Sequence, residues 1–201
     1  MKITLADYGA GNLPSVERAL ARLGAETERA TRGEALERAQ AIVLPGVGHF
    51  GALARALAAD GLAQGLNAAI ERGAAFLGIC LGMQALYERS EEAPGMAGLG
   101  QLRGVVQPLA SGVKLPHMGW NQVRRPRQSR LFTGIAEDAW FYFAHSYAAF
   151  DCGKEAVALC DYGGNFVAAI ECGRAAAVQF HPEKSGEAGA ALLKNFLEMA
   201  R

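Results

Sequence analysis

Ala74-Ala75-Phe76-Leu77-Gly78-Ile79-Cys80-Leu81-Gly82-Met83-Gln84 runs from the most apolar segment of the chain straight into a cysteine with glycine two positions to either side. Ala74 to Ile79 reads as a buried strand, and Met83 to Arg89 as the helix after it. A nucleophile between strand and helix, set among glycines, has the form of a nucleophile elbow with sulfur in place of oxygen. Glycine lets the chain turn sharply and lets neighbouring backbone come close. The turn would lift the thiol to the carboxyl end of a parallel strand, where open α/β sheets bind ligands. It would also set the thiol at a helix N-terminus, whose dipole favours thiolate. A lone cysteine at a strand end is more often a small buried residue, so the elbow draws its weight from its surroundings.

Upstream, strand and helix alternate. Ile3 to Asp7 is a short apolar strand, and Gly9 and Gly11 form a turn after it. Asn12 is placed to cap a helix through Val16, Leu20 and Leu23, with Pro14 in the first turn and Gly24 at the end. Glu26 to Arg29 is a weak strand at or near an edge. Ala41 to Leu44 is a buried strand stopped by Pro45-Gly46, and helical patterns fill residues 51–72, interrupted near Gly61 and ended by Gly73. Such βαβα alternation predicts a parallel sheet with helices on both faces.

Downstream the pattern changes. Strand-like pieces recur near Val105 and Gln122, and at Trp140 to Phe143, Val157 to Cys160, Phe166 to Glu171 and Ala175 to Phe180. From Val157 onward their spacing, with Gly163-Gly164-Asn165 as a tight turn, predicts hairpins and hence antiparallel strands added to the parallel core. A last amphipathic helix, Gly186 to Met199, turns Leu192, Leu193, Phe196 and Leu197 inward. No repeat or linker interrupts the chain, so residues 1–201 are expected to form a single domain: α/β, flavodoxin-like, an open, mostly parallel twisted sheet.

Apolar residues make up 51% of the chain and charged residues 20%, with a formal net charge of zero. That balance argues against nucleic-acid binding, which needs surplus Lys and Arg. The basic run Arg124, Arg125, Arg127 and Arg130, broken by Pro126, reads as a solvated loop. No apolar stretch approaches the roughly 20 residues of a membrane span, and a chain opening on a strand leaves no room for a signal peptide. Cys80, Cys152, Cys160 and Cys172 are too unevenly spaced for a zinc site or a disulfide framework. Reduced cysteines in the cytoplasm are expected, the three besides Cys80 as small buried residues.

Two more constellations surround the elbow. In Gln179-Phe180-His181-Pro182-Glu183-Lys184, at a strand end, His181 and Glu183 stand two apart and point the same way while the chain is extended. A carboxylate beside an imidazole orients and charges it, and that imidazole can take a thiol proton and return it to a leaving amine. Alone, the tripeptide could be an incidental surface turn. In Pro45-Gly46-Val47-Gly48-His49-Phe50-Gly51 the glycines free the backbone to turn an N–H toward a ligand. An elbow takes one oxyanion donor from the residue after the nucleophile, here Leu81, and another from an adjacent strand's loop, here Val47 or Gly48. An ordinary βα turn would look the same. Pro14 stands where a dinucleotide loop would carry its third glycine, so that site is not expected.

Together, in order and spacing, Pro45-Gly46-Val47-Gly48, Gly78-Ile79-Cys80-Leu81-Gly82-Met83-Gln84 and His181-Pro182-Glu183 resemble the class I glutamine amidotransferases over residues 1–201. Asp7-Tyr8-Gly9-Ala10-Gly11-Asn12-Leu13, His49-Phe50-Gly51 and Leu115-Pro116-His117-Met118-Gly119-Trp120-Asn121 resemble one branch, the glutaminase subunits that feed ammonia to a synthase of histidine biosynthesis. The resemblance implies the fold of that family and hydrolysis of L-glutamine by Cys80, His181 and Glu183, without metal or organic cofactor. It implies glutamine contacts at Gly48, Gln84, Ser146 and Tyr147. It also implies a heterodimer with a cyclase (synthase) subunit, faced by Asn12, Met118, Trp120 and Lys184. A glutaminase of another synthase, or a silent binding module on the same fold, stays open. His49, His117 and His145 are expected to be structural, since the triad already has its base.

Overall fold

The computed structural model describes residues 1–151 and 153–201; the expectation for Cys152 lies outside them. Through Gln84 the elements are β1 (Lys2–Ala6), α1 (Leu13–Arg22), β2 (Glu26–Ala30), α2 (Gly33–Arg38), β3 (Ala41–Gly46), α3 (Phe50–Ala58), α4 (Leu62–Glu71), β4 (Ala75–Cys80) and the single turn α5 (Leu81–Gln84). Then come β5 (Tyr87–Ser90), β6 (Leu102–Pro108), β7 (His117–Gln122), β8 (Trp140–His145), β9 (Tyr147–Ala149), β10 (Ala156–Asp161), β11 (Asn165–Cys172), β12 (Ala175–Val178) and α6 (Gly186–Met199).

Seven strands form the central sheet in the order β10-β11-β12-β4-β3-β1-β2. β12, β4, β3, β1 and β2 are parallel, and β10 and β11 are joined to them antiparallel. β2 is an edge, as its weak pattern suggests. Alternate residues of the buried strands serve two cores. Ile3, Leu5, Val43, Leu77 and Ile79 pack with Val16 and Leu20 of α1 and Leu192, Leu193 and Phe196 of α6. Ile42, Leu44 and Phe76 pack on the other face with Leu36, Leu53, Leu57 and Leu66 of α2, α3 and α4. Helices on both faces follow from period-2 burial in strands that are apolar throughout. Two small sheets, β5-β6-β9 and the β7–β8 ribbon, complete the fold.

Three local expectations fail for identifiable reasons. β3 does not stop at Leu44: Pro45 and Gly46 continue in register with Ile79 and Cys80. On its other side β3 meets β1 only through Ile42 and Val43, so the proline sits where that ladder has ended. Met83 to Arg89 is not a helix. One turn ends at Gln84, and Tyr87–Ser90 pairs as a strand with β6, tertiary pairing overriding local preference. Asn12 occupies the cap position of α1 but makes no side-chain cap; its amide is directed elsewhere. The sequence pattern also passed over α2, β5 and β9.

Candidate active site

Cys80 is the last residue of β4 and adopts φ 54°, ψ −108°, a conformation that costs a side-chain-bearing residue about 1–3 kcal/mol. The strain of the elbow therefore falls on the cysteine itself, while its glycines serve close approach. A Cβ on Gly82 would collide with the Leu44 carbonyl oxygen, and one on Gly78 would come 2.7 Å from the Gly82 carbonyl oxygen. One on Gly46 would come 2.7 Å from the Gly82 nitrogen. The helix expected after the cysteine is reduced to one turn, Leu81–Gln84, with no side-chain cap from Cys80, so no extended macrodipole faces the sulfur.

β12 lies beside β4, which carries the segment after it to the same edge as Cys80. His181 follows β12 in extended conformation, and Pro182–Lys184 then close a single 3₁₀ turn. His181 Nδ1 lies 2.9 Å from Glu183 Oε1, with both side chains almost wholly buried. Asn12 Nδ2 reaches the same carboxylate oxygen at 3.5 Å. Ser185 Oγ donates to the His181 carbonyl at 2.7 Å and accepts from Tyr142 N at 3.0 Å; His181 N donates to the Tyr142 carbonyl at 2.8 Å. Burial alone would push the His181 imidazole down, but hydrogen bonds to the Cys80 sulfur and to Glu183 outweigh it and carry the group up to about 10. The imidazole thus sits between two groups that both favour its protonated form.

Val47, Gly48, Cys80, Leu81, Gln84 and His181 share one cavity of about 150 Å³, smaller than the roughly 300 Å³ at which drug-sized pockets begin. Tyr147 lines it as well, whereas Ser146 does not; the Ser146 carbonyl is taken up by Leu109 N at 2.9 Å. Gln84 Nε2 donates to the Tyr147 carbonyl at 2.8 Å and to Gln179 Oε1 at 3.1 Å, which leaves its own oxygen for a ligand. Three neighbours have no counterpart in the sequence reading, one of them the Ala144 carbonyl, 3.9 Å from the Cys80 sulfur. Glu92 lines the cavity and caps α3 by accepting from Phe50 N at 2.7 Å; no local pattern marks it. Gln179 touches the sulfur from the bend that follows β12; Glu183 sits in a 3₁₀ turn rather than an extended segment, so strand alternation accounts for neither residue.

Met118 and Trp120 project from the outer face of β7, 64% and 52% exposed. Lys184 Nζ sits 5.6 Å from the centre of the Tyr142 ring on the neighbouring strand. Asn12 turns inward to Glu183 instead. The histidines are structural in part: His49 Nδ1 accepts from Gly51 N at 3.0 Å, and His117 and His145 form a buried pair, though His145 also borders the cavity.

The basic run is solvent-exposed at Arg124, Arg127 and Arg130, as expected, but not at Arg125. The Arg125 side chain is 7% exposed, faces Glu137 and lies over Phe132. Arg127 bonds the Lys154 carbonyl, and Arg130 bonds Glu171 and the Gly173 carbonyl. These side chains line a larger hollow of about 650 Å³ that includes no triad residue, where Arg125 Nε faces Glu137 at 3.4 Å without a hydrogen bond. Cys172 is exposed rather than buried, and burial pushes the Cys160 thiol up to about 12, which leaves it inert. Among the described residues no cluster of metal-ligating side chains occurs and no helix is long and apolar enough to cross a membrane.

Residues 4–200 match the family described as glutamine amidotransferase class-I, and the chain belongs to that family. It is 47% identical over 199 residues to the imidazole glycerol phosphate synthase subunit HisH of Methanothermobacter thermautotrophicus, covering 99% of both chains. It is 46% identical over 200 residues to the subunit of the same name from Moorella thermoacetica, covering 99% of this chain and 95% of that one. A solved structure described as a glutamine amidotransferase superposes with TM-score 0.78 at 22% identity, covering 98% of each chain; at that identity it bears on the fold alone.

Proposed function

We propose that residues 1–201 act as one glutaminase domain, in the cytoplasm, as the ammonia-releasing subunit of an imidazole glycerol phosphate synthase. The observation that carries the reading is His181 buried between the Cys80 sulfur and the Glu183 carboxylate. The Cys80 thiolate attacks the side-chain carbonyl carbon of glutamine, forming a C–S bond. The oxyanion is met by the N–H of Leu81 and an N–H of the Val47–Gly48 loop. His181 hands its proton to the departing nitrogen as the C–N bond breaks, releasing ammonia and leaving a glutamyl thioester. Water, deprotonated by His181, then cleaves the thioester to glutamate and free thiolate. Glu183 holds the imidazole and stabilises its charge; Gln84 Oε1 and the Glu92 carboxylate offer acceptors for the substrate's ammonium.

Ammonia in neutral water is mostly protonated and no longer nucleophilic, so release serves synthesis only if a partner receives it directly. The cyclase subunit of such a synthase is that partner, and Met118 and Trp120 offer exposed apolar surface for it beside Lys184.

The test is Cys80→Ala in the reconstituted heterodimer. Glutamine hydrolysis should vanish while the cyclase still makes product from ammonium salt at high pH. Hydrolysis persisting in the variant would remove Cys80 from this role. With the intact chain, the partner and its nucleotide substrate should raise hydrolysis by at least about 10²-fold, the worth of one oxyanion donor brought into place.

A further inference from the structure

Behind the cysteine runs a single chain of hydrogen bonds whose proton positions follow from one end. The Tyr147 carbonyl oxygen can only accept. His145 Nδ1 lies 2.9 Å from it and Gln84 Nε2 2.8 Å, so both are donors and its two lone pairs are filled. Burial pushes His145 down to about 3, so the ring is neutral and its Nε2 must accept. His117 Nδ1, 3.1 Å away, therefore donates. At the other end Gln84 Nε2 also donates to Gln179 Oε1 at 3.1 Å. With its oxygen facing Gln84, the Gln179 amide presents nitrogen to Cys80, 3.6 Å from Sγ. Gln179 is fully buried, so no water competes for that N–H. Thiolate is a far better acceptor than thiol, so the contact is strongest when the sulfur is charged.

We infer that Gln179 is a further catalytic residue, whose side-chain amide donates to the Cys80 sulfur and is held in that orientation by the buried chain through Gln84, the Tyr147 carbonyl, His145 and His117. The inference rests on Cys80 being the nucleophile. An amide exchanges no proton, so Gln179 takes no part in acid–base transfer. It fixes the direction of the sulfur lone pairs before attack and receives the thiolate again when the thioester is cleaved. The far end of the chain sits on β7, whose alternation places His117 inward and Met118 and Trp120 outward. The strand proposed to meet the partner is thus also the one that anchors the sulfur's donor.

The test is steady-state glutamine hydrolysis by the reconstituted heterodimer across neutral to alkaline pH. Gln179→Glu keeps the size of the side chain and an acceptor for Gln84 but replaces the amide N–H by a carboxyl group, whose one donor is lost when it ionises against the sulfur. Gln179→Met removes the donor without adding charge. Hydrogen bonds to charged groups of this kind are worth about 10- to 100-fold in rate. Gln179→Met should lose that much in kcat at every pH with KM little changed. Gln179→Glu should lose more as pH rises and its carboxyl group ionises. The other ionisable groups around the sulfur, Tyr8, His181, Glu183, Glu92, Lys184 and His145, are untouched, so the divergence of the two profiles belongs to position 179. Circular dichroism and co-elution with the partner establish folding, and if Gln179→Glu does not assemble, Gln179→Met decides. A variant that assembles and stays within about threefold of the parent in kcat at every pH, or that changes only KM, overturns the inference. Cys80→Ala run alongside separates the two failures. Activity surviving there sinks the nucleophile assignment, whereas an inactive Cys80→Ala beside normal Gln179 variants sinks only the role of Gln179.

Discussion

Two glycine-bearing turns meet across the cysteine, and they are built in opposite ways. At the elbow, Gly78 and Gly82 each lie where a Cβ would strike neighbouring backbone, as does Gly46 at the end of the adjoining β3. At Gly48, φ is +97° and a Cβ would meet nothing within 4 Å; Val47 beside it is 39% exposed. The first turn uses glycine to bring chains together, the second to let one chain bend in open space. Freedom in this site is one-sided. The sulfur and its base are wedged by packing, whereas Gly48 stands in open space and the Val47 backbone beside it faces the Tyr8 hydroxyl.

The contrast breaks most visibly at Gly82→Ala. Its Cβ would collide with the carbonyl oxygen of Leu44, a residue in the middle of the buried sheet that cannot yield. A loss of at least about 4 kcal/mol is expected, at the extreme end for single substitutions, and glutaminase activity should go with it. Urea unfolding measures the loss; a change under about 1 kcal/mol would mean that the elbow is not wedged.

Glu183→Gln tests whether the wedged side is also fixed in charge. The amide fills the same volume but cannot balance an imidazolium in a buried site. The corresponding Asp→Asn change in a serine-protease triad costs about 10⁴-fold; about 10³-fold is expected here, because sulfur needs less help than oxygen to ionise. The raised affinity of His181 for its proton should fall as well, which NMR titration of the imidazole would detect. An unshifted His181 with undiminished turnover would show that Glu183 does not orient the base.

The two turns also differ in how far they can be read from sequence. Gly78-x-Cys80-x-Gly82 is legible because close approach requires glycine at fixed spacing around the nucleophile. Pro45-Gly46 misleads, because a proline that ends one ladder looks like one that ends the strand. Met83 to Arg89 misleads for the same kind of reason: a helical pattern yields to a strand partner 15 residues on, with Tyr87 in register with Leu102. His117 opposite His145 depends on the β7–β8 register, and the burial of Arg125 depends on Phe132 and Glu137; neither has a local signature. Gln179 has no such signature either, because the chain bends at residues 179 and 180 and the alternation of β12 ends before it.

At Cys80 the wedged side is strained as well as crowded. At most buried positions alanine is more stable than glycine by about 1 kcal/mol. At φ 54°, ψ −108° the order should invert, with Cys80→Gly more stable than Cys80→Ala by about 1 kcal/mol, since only glycine adopts that conformation without cost. Both variants lack the sulfur, so the difference isolates backbone strain. Chemical denaturation of the pair measures it, and alanine coming out ahead would mean the elbow relaxes once the sulfur is gone.

Gly48→Ala should have the smallest effect on stability and is the sharpest probe of the loose turn. No atom stands in the way of its Cβ, so the cost is the left-handed backbone alone, about 1 kcal/mol, against several at Gly82. Its consequence for turnover should be larger than its consequence for folding. A Cβ at position 48 limits the backbone angles available to the loop, so hydrolysis in the presence of the cyclase subunit and its ligand should fall about tenfold, within the worth of one oxyanion donor, while hydrolysis by the isolated chain changes little. The pairing of a small stability change with a selective loss of partner stimulation is what separates a turn that moves from one that only connects. If Gly48→Ala lowers both rates equally, the loop has one working conformation, and any response to the partner must enter through the wedged side after all.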